Sequence, residues 1–341
     1  MLDPEGGVRQ GKGHRALPLV PALHCLARSW GTGLPARCGG GCTGTLALDL
    51  PGVRPRPRLR RLPRGGRPWV QGAVLGLVGR KIVSGRVVIV TGASSGIGEA
   101  TARAFSRAGD RVVLTARRAD RLQRIARDLP ESLVVPADLS RPEELGRIVE
   151  ETLRQYGQID VLVNNAGIGV HEWFDRSSEE TIRLQVEVNL LAPILLTRAV
   201  IPAMVARRRG TIINVASVAG RIATPTLAIY SAAKFGLDGF SEALRRELRP
   251  LGIHVCVLYP GVVQGTEFGR DKRVDLNLTS PPWLSLTPER VAREIVRLAD
   301  RPRPRRVLPG TYWLAVALNT FLPSLVDRAM WRVVQKARVG P

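Results

Sequence analysis

Tyr230 and Lys234 stand four residues apart in Tyr230-Ser-Ala-Ala-Lys234. On a helix that spacing puts both on one face, with an ammonium beside a phenol. A neighbouring positive charge favours the phenolate and lowers the phenol pKa from its ordinary value of about 10. A phenol so tuned can act as acid or base near neutral pH. Ser217 lies 13 residues before the tyrosine. Further upstream, Thr91-Gly-Ala-Ser-Ser-Gly-Ile-Gly98 sets Gly92, Gly96 and Gly98 in the spacing G-x-x-x-G-x-G, with Ile97 between the last two. Glycines at such spacing permit a tight turn and let the backbone approach a pyrophosphate. A helix opening there presents free N–H groups and a positive dipole end. Ser94 and Ser95 add hydroxyls. A loop that holds a dinucleotide, followed by a group that moves a proton, describes hydride chemistry.

These groups must be positioned by the elements between them. Residues 86–90, Arg-Val-Val-Ile-Val, form an apolar run after the arginine, suited to a strand buried on both faces. A helix over 97–108 follows the glycine loop and stops at Gly109. Strands over 111–115, 133–135, 159–163, 211–215 and 254–258 come next, with an edge strand at 306–308. Helices over 120–129, 142–156, 178–207 and 287–299, and the one carrying Tyr230, lie between them. The 178–207 helix is expected to bend near Pro193 and Pro202. Thr287 caps the last of these helices and Pro288 takes its first position. Strands separated by helices imply right-handed crossovers. The expected fold is α/β, a doubly wound Rossmann-type three-layer sandwich with a mainly parallel sheet of about seven strands. Its ligand belongs at the carboxyl ends of the strands, where all of these motifs fall.

The second strand ends Thr115-Ala-Arg-Arg118. A carboxylate at this point would pair with the ribose 2′-hydroxyl of NAD, and none is present. Arg117 and Arg118 suit a 2′-phosphate instead, so the expected cofactor is NADP(H). Asp138, with Leu139 after it, follows the third strand and can accept from an adenine amino group. Asn164-Asn165-Ala166-Gly167 follows the fourth. Its small residues leave room for the adenosine ribose, and its amides can brace the sheet ends.

In their order, Thr91–Gly98, Asn164–Gly167, Asn189, Ser217, Tyr230, Lys234 and Pro260-Gly261 resemble the short-chain dehydrogenase/reductase family over about residues 85–310. The resemblance implies that Tyr230 exchanges a proton with the alkoxide of a carbonyl/alcohol pair. It implies that Lys234 lowers the tyrosine pKa and hydrogen-bonds the nicotinamide ribose, and that Ser217 donates to the carbonyl oxygen. Asn189, in Val188-Asn-Leu-Leu-Ala192, would hold a water joining Lys234 to solvent. Pro260, Gly261 and Val263 would face the nicotinamide. Family members often carry a threonine five residues after the proline of Pro260-Gly261. Here Gly265 stands there and Thr266 follows, as after a one-residue insertion. A dimer or tetramer is the family's usual assembly.

The chain has 341 residues and a formal charge of +22. Residues 1–80 hold 13 Lys/Arg against 3 Asp/Glu, so the excess is concentrated in the first quarter. That stretch is rich in Gly, Pro and Arg and is expected to be a disordered leader. It could bind an anionic surface, or it could be an upstream extension without a role. Cys25, Cys38 and Cys42 lie in it and Cys256 alone falls in the body, which fits a reducing compartment. The cysteines do not have metal-site spacing, so no metal is expected. No run of 18 apolar residues appears, and no ordinary membrane-spanning helix is expected. Glu143, Glu144, Glu150 and Glu151 interrupt any basic face on the body, which argues against a nucleic-acid partner.

Residues 262–286, with Phe268, Pro281-Pro282 and Trp283, are expected to cover an apolar substrate, facing a wall of His171, Trp173 and Phe174. Residues 311–341 read as an amphipathic tail. It could dock on the domain, join an oligomer or touch a membrane surface through Trp313, Trp331 and its basic residues. The expected function is NADP(H)-dependent interconversion of a carbonyl and a secondary alcohol, with residues 81–310 as the working domain in the cytoplasm. A silent cofactor-binding sensor or scaffold is the alternative, although such a protein would usually have lost Tyr230 or Lys234.

Overall fold

A computed structural model of the chain describes residues 85–268, 273–274, 281 and 284–339. The leader, three of the cysteines, Pro282 and Trp283 lie outside that range. The described residues all fall within one compact unit.

Seven strands pair in parallel throughout, in the order β3-β2-β1-β4-β5-β6-β7. They are β1 (Val87–Thr91), β2 (Arg111–Thr115), β3 (Ser132–Val134), β4 (Val161–Asn164), β5 (Gly210–Val215), β6 (Ile253–Pro260) and β7 (Arg305–Leu308). All five residues of β1 are buried, which explains its unbroken apolar run. Strand side chains alternate between faces, so β1 serves two cores. Val88 and Val90 pack with helices α1 (Gly96–Arg107), α2 (Ala119–Arg127) and α7 (Pro288–Asp300). Val87 and Ile89 pack with α3 (Pro142–Tyr156), α5 (Ala192–Ala206) and α6 (Ala228–Leu248). The strand order reverses between β1 and β4, and their carboxyl ends flank the crevice where such folds place ligands.

Local chemistry sets the helix ends. Pro142 opens α3 and Gly157, with φ +72°, closes it. The Thr287 hydroxyl accepts from the Arg290 N–H and caps α7, with Pro288 first in the helix, as the sequence indicates. The expected single helix over 178–207 is interrupted differently. Helix α4 (Glu179–Val186) passes through a π-helical turn, Glu187–Leu191, before α5 begins. The break sits upstream of both prolines. Its centre is Asn189, fully buried, whose amide donates both to Gln185 in the preceding turn and to Ile168 outside the helix. The span Glu179–Ala206 is long and apolar enough to cross a membrane by length and composition, a test that a core helix also passes. Its Leu196, Val200 and Met204 are buried within the second core.

The tail forms α8 (Tyr312–Phe321) and α9 (Pro323–Val339). Val316 is buried, and Tyr312 lies against Gly261, where an added Cβ would fall 2.3 Å from the ring. Arg338 of α9 pairs with Asp175 at 2.9 Å and sits 4.9 Å from the Trp173 ring centre. Docking is therefore part of the tail's role.

Candidate active site

Four strand ends and one helix face build the site. After β1, Gly92 and Gly96 take φ of +68° and +56°, a region that side chains resist. At Gly98 a Cβ would lie 2.1 Å from the Gly92 carbonyl oxygen, so only glycine fits. Ser95 stands at the N-cap of α1 and makes no side-chain cap bond, which leaves the first-turn N–H groups without a side-chain acceptor. The Thr91 hydroxyl accepts from the N–H groups of Asn165 (2.9 Å) and Ala166 (3.0 Å). The Asn165 amide donates to the Thr91 carbonyl at 2.9 Å. Asn165 thus ties β4 to β1 and forms the floor of the crevice. Asn164 continues the brace to Asn214 at 2.8 Å, and Asn214 to Ser241 at 2.7 Å.

After β2 the two arginines separate. Arg117 is exposed, and its charge helps lower the pKa of Asp138. Burial opposes that shift, while the N–H and hydroxyl of Ser140 donate to the carboxylate. Arg118 turns into the glycine loop and donates to Ser94 (3.0 Å) and Ser95 (2.9 Å). Arg118 and Arg121 of α2 both pair with Glu267, at 2.7 and 2.8 Å, and Ser95 donates to the same carboxylate at 3.2 Å. These three side chains converge on one anionic group, which tests the site's fit to phosphate: it supplies two guanidinium forks and a hydroxyl. Arg121 and Glu267 were not anticipated. The i,i+3 spacing of Arg118 and Arg121 is a signal that could have found the first. Nothing local marks Glu267, which arrives from the segment after β6.

Tyr230, Lys234, Ser217, Asn189 and Gly167 do converge. Tyr230 and Lys234 share a face of α6 and are 6% and 2% exposed. The Lys234 ammonium donates to the Val215 carbonyl at 3.0 Å and lies 5.6 Å from the tyrosine ring centre. A Cβ at Gly167 would stand 2.9 Å from Asn189 Oδ1 and 3.5 Å from Lys234 Nζ, so a bare backbone passes both. Asn189 accepts from the Ile168 N–H at 3.1 Å and donates to the carbonyls of Ile168 and Gln185, each at 2.8 Å. Ser217 is the neighbour whose hydroxyl draws the phenol pKa down, while its Oγ accepts from the Ala219 N–H at 3.1 Å.

One expectation about Tyr230 is reversed. Burial pushes its pKa up to about 12, against a downward pull from the Ser217 bond. Burial also pushes Lys234 down, to about 8. The ammonium is turned to a carbonyl and both groups have left water, so desolvation outweighs the expected pull of lysine on tyrosine.

Pro260 ends β6, and the Gly261 N–H donates to Leu308 at 2.7 Å. Val263 bridges to Leu286. Gly265 has φ +71°, and Thr266 comes down over Gly96, 3.3 Å from where its Cβ would be. Gly265 thus forms a left-handed turn that brings Thr266 to the glycine loop. Phe268 lies 4.9 Å from the Tyr230 ring centre. On the opposite side His171 bonds Thr226, Trp173 is buried under Arg338, and Phe174 is 64% exposed, so the expected wall is formed only in part. Among the described residues no group of three His, Cys, Asp or Glu converges as a metal site would.

The profile described as short chain dehydrogenase matches residues 86–277. Dehydrogenase/reductase SDR family member 7B of Xenopus tropicalis is 32% identical over 270 residues, spanning 74% of this chain and 86% of the relative. A dehydrogenase/reductase SDR family protein 7-like of Anopheles gambiae is 39% identical over 191 residues, where the chain spans 60% of the relative's length. A metagenomic short-chain oxidoreductase solved with NADP is 33% identical, with a TM-score of 0.57 over 66% of this chain and 96% of that one. The 3-ketoacyl-(acyl-carrier-protein) reductase of Brucella melitensis, solved with NADH, is 30% identical with a TM-score of 0.61, over 66% and 96%.

Proposed function

Since the chain belongs to the short-chain dehydrogenase/reductase family and is an oxidoreductase of that fold, we propose that it interconverts a carbonyl and a secondary alcohol with NADP(H). The observation that carries the reading is the convergence of Tyr230, Ser217 and Lys234 beside Gly167 at the carboxyl ends of β4 and β5. The bound nicotinamide would supply or accept the hydride.

The chain's own residues do the rest. Gly92, Ser94, Ser95, Gly96, Ile97 and Gly98 hold the pyrophosphate side. Asp138, Leu139, Asn165, Ala166 and Gly167 line the adenosine side. Arg117, Arg118 and Arg121 favour a 2′-phosphate, and this supports NADP(H) over NAD(H). Pro260, Gly261 and Val263 face the nicotinamide. Tyr230 stays a neutral phenol at neutral pH and donates its proton to the nascent alkoxide as the carbonyl is reduced. Ser217 donates to the same oxygen as charge develops on it. Lys234 hydrogen-bonds the nicotinamide ribose and offers a proton that can replace the one Tyr230 gives up. Asn189, its side chain held by Ile168 and Gln185, holds the water that joins Lys234 to solvent.

The apolar Phe268 and Trp173 favour an apolar carbonyl compound. Self-association into a dimer or tetramer and a cytoplasmic location complete the reading. Any membrane contact runs through the tail, where Leu314, Leu318, Phe321, Leu322 and Leu325 are exposed. The test is a panel of carbonyl compounds followed by NADPH absorbance. Tyr230→Phe should bind NADPH as the parent does and lose about 100-fold or more in turnover. Retained turnover would remove the tyrosine from the mechanism, whereas a parent that binds NADPH and turns over none of the panel would return the sensor reading to the front.

A further inference from the structure

Glu267 and Phe268 are neighbours in the chain that occupy two separate parts of the site. The Glu267 carboxylate takes Arg118, Arg121 and Ser95, the same donors that a 2′-phosphate needs. Phe268 covers Tyr230 at 4.9 Å, with the rings tilted by 53°. Its ring also lies on Gly169, where an added Cβ would fall 2.4 Å away. One short segment therefore fills the anion cradle with a carboxylate and shields the proton-donating phenol with a ring.

We infer that Glu267 and Phe268 form a latch, opened when the cofactor's 2′-phosphate takes Arg118 and Arg121 from Glu267, which draws Phe268 off Tyr230 and admits substrate. The inference rests on the NADP(H) reading above. Two anions cannot share one pair of guanidinium forks at these distances, because like charges that close repel strongly. The two arginines hold Glu267 firmly as a carboxylate, since hydrogen bonds from Arg121 and Arg118 bring its pKa down to about 2. The segment enters through an open turn. Gly265 has φ +71°, and nothing lies within 4 Å of its Cβ position. Further along the chain, Arg273 and Val274 are tied to the opposite wall. Arg273 pairs with Glu172 at 3.0 Å, and the N–H groups of Arg273 and Val274 donate to the His171 carbonyl. Displacing the carboxylate therefore moves Phe268, the next residue in the chain. Cofactor binding and access to Tyr230 become one event, and the specificity-bearing phosphate triggers it.

The test uses the full chain, with adenosine 2′,5′-bisphosphate and 5′-AMP as calorimetric probes. Glu267→Gln removes the competing charge and keeps the side-chain shape. It should bind the bisphosphate about tenfold more tightly, the effect of losing one charge-assisted contact, and change 5′-AMP affinity less than twofold. A Phe268→Trp reporter should shift its emission to the red and gain acrylamide quenching when the bisphosphate is added. 5′-AMP should leave it unchanged. In the Glu267→Gln background the reporter should start in the shifted state. If the parent binds the bisphosphate and Glu267→Gln binds it no more tightly, or the reporter does not respond, the latch is overturned and the NADP(H) reading stands. If the parent binds both probes equally, the 2′-phosphate reading fails and takes the latch with it.

Discussion

At the scale of single residues, burial sets the behaviour of the site. Lys234 is 2% exposed and its pKa falls from 10.5 to about 8. The folded state thus binds fewer protons than the unfolded chain between pH 8 and 10.5, and its stability rises with pH across that window. Below pH 8 the buried charge costs on the order of 3 kcal/mol. Lys234→Met should therefore abolish turnover yet raise the melting temperature at pH 7. The gain should shrink as the pH is raised towards 10.5, which scanning fluorimetry across pH can follow. Tyr230 is shifted in the other direction, to about 12. The rate of alcohol oxidation, which needs the phenolate, should still be climbing at pH 10, and stopped-flow rates across pH measure it. Ser217→Ala removes the bond that lowers this pKa and should move the rise to higher pH. At the cofactor end, Arg118→Ala should raise the Michaelis constant for NADPH more than Arg117→Ala does, since Arg118 faces the glycine loop and Arg117 faces water.

At the scale of elements, the glycines separate by what surrounds them. Gly98 opens α1 against the Gly92 carbonyl, and Gly98→Ala forces the loop apart. Stability should fall by about 1–3 kcal/mol and NADPH affinity should fall with it. Gly146 lies within α3 with nothing within 4 Å of its Cβ position. Gly146→Ala should stabilise the protein by about 0.5–1 kcal/mol through helix propensity, with kinetics unchanged. Chemical denaturation of the two variants checks both signs. The element pattern was largely legible in the sequence, because buried parallel strands read as apolar runs and helix ends carry Pro, Thr and Gly. The π turn was not. Prolines at 193 and 202 drew attention downstream, while the distortion is at Asn189, whose side chain bonds Ile168 and Gln185. That preference exists only once β4 has delivered Ile168 to the helix.

At the scale of the whole molecule, the tail closes over the domain at two points. Tyr312 packs on Gly261 and Arg338 reaches Trp173 and Asp175. Ending the chain at Gly310 removes these contacts and the buried Val316. The melting temperature should drop by roughly 5–10 °C for a loss of a few kcal/mol. Substrate affinity should weaken more than NADPH affinity if Trp173 lines the substrate side as proposed. Flotation with anionic liposomes, compared between the full and shortened chains, reads the exposed leucine stripe. Loss of flotation with the tail assigns the membrane contact to it, and equal flotation places that contact elsewhere.

The order of motifs along the chain was enough to name the fold, the glycine loop, the Tyr230–Lys234 pair and Ser217, because each depends on spacing within one element or on its place after a strand. Those signals are local, and local geometry follows from residue type and period. The anion cradle, the direction of the tyrosine shift and the reach of the tail are different in kind. Arg118 and Arg121 meet Glu267 from a distant part of the chain, and Tyr230 loses its water only when α6, Phe268 and the strand ends close around it. Desolvation and long-range pairing are properties of assembled space, so they were settled by the packing of the folded chain.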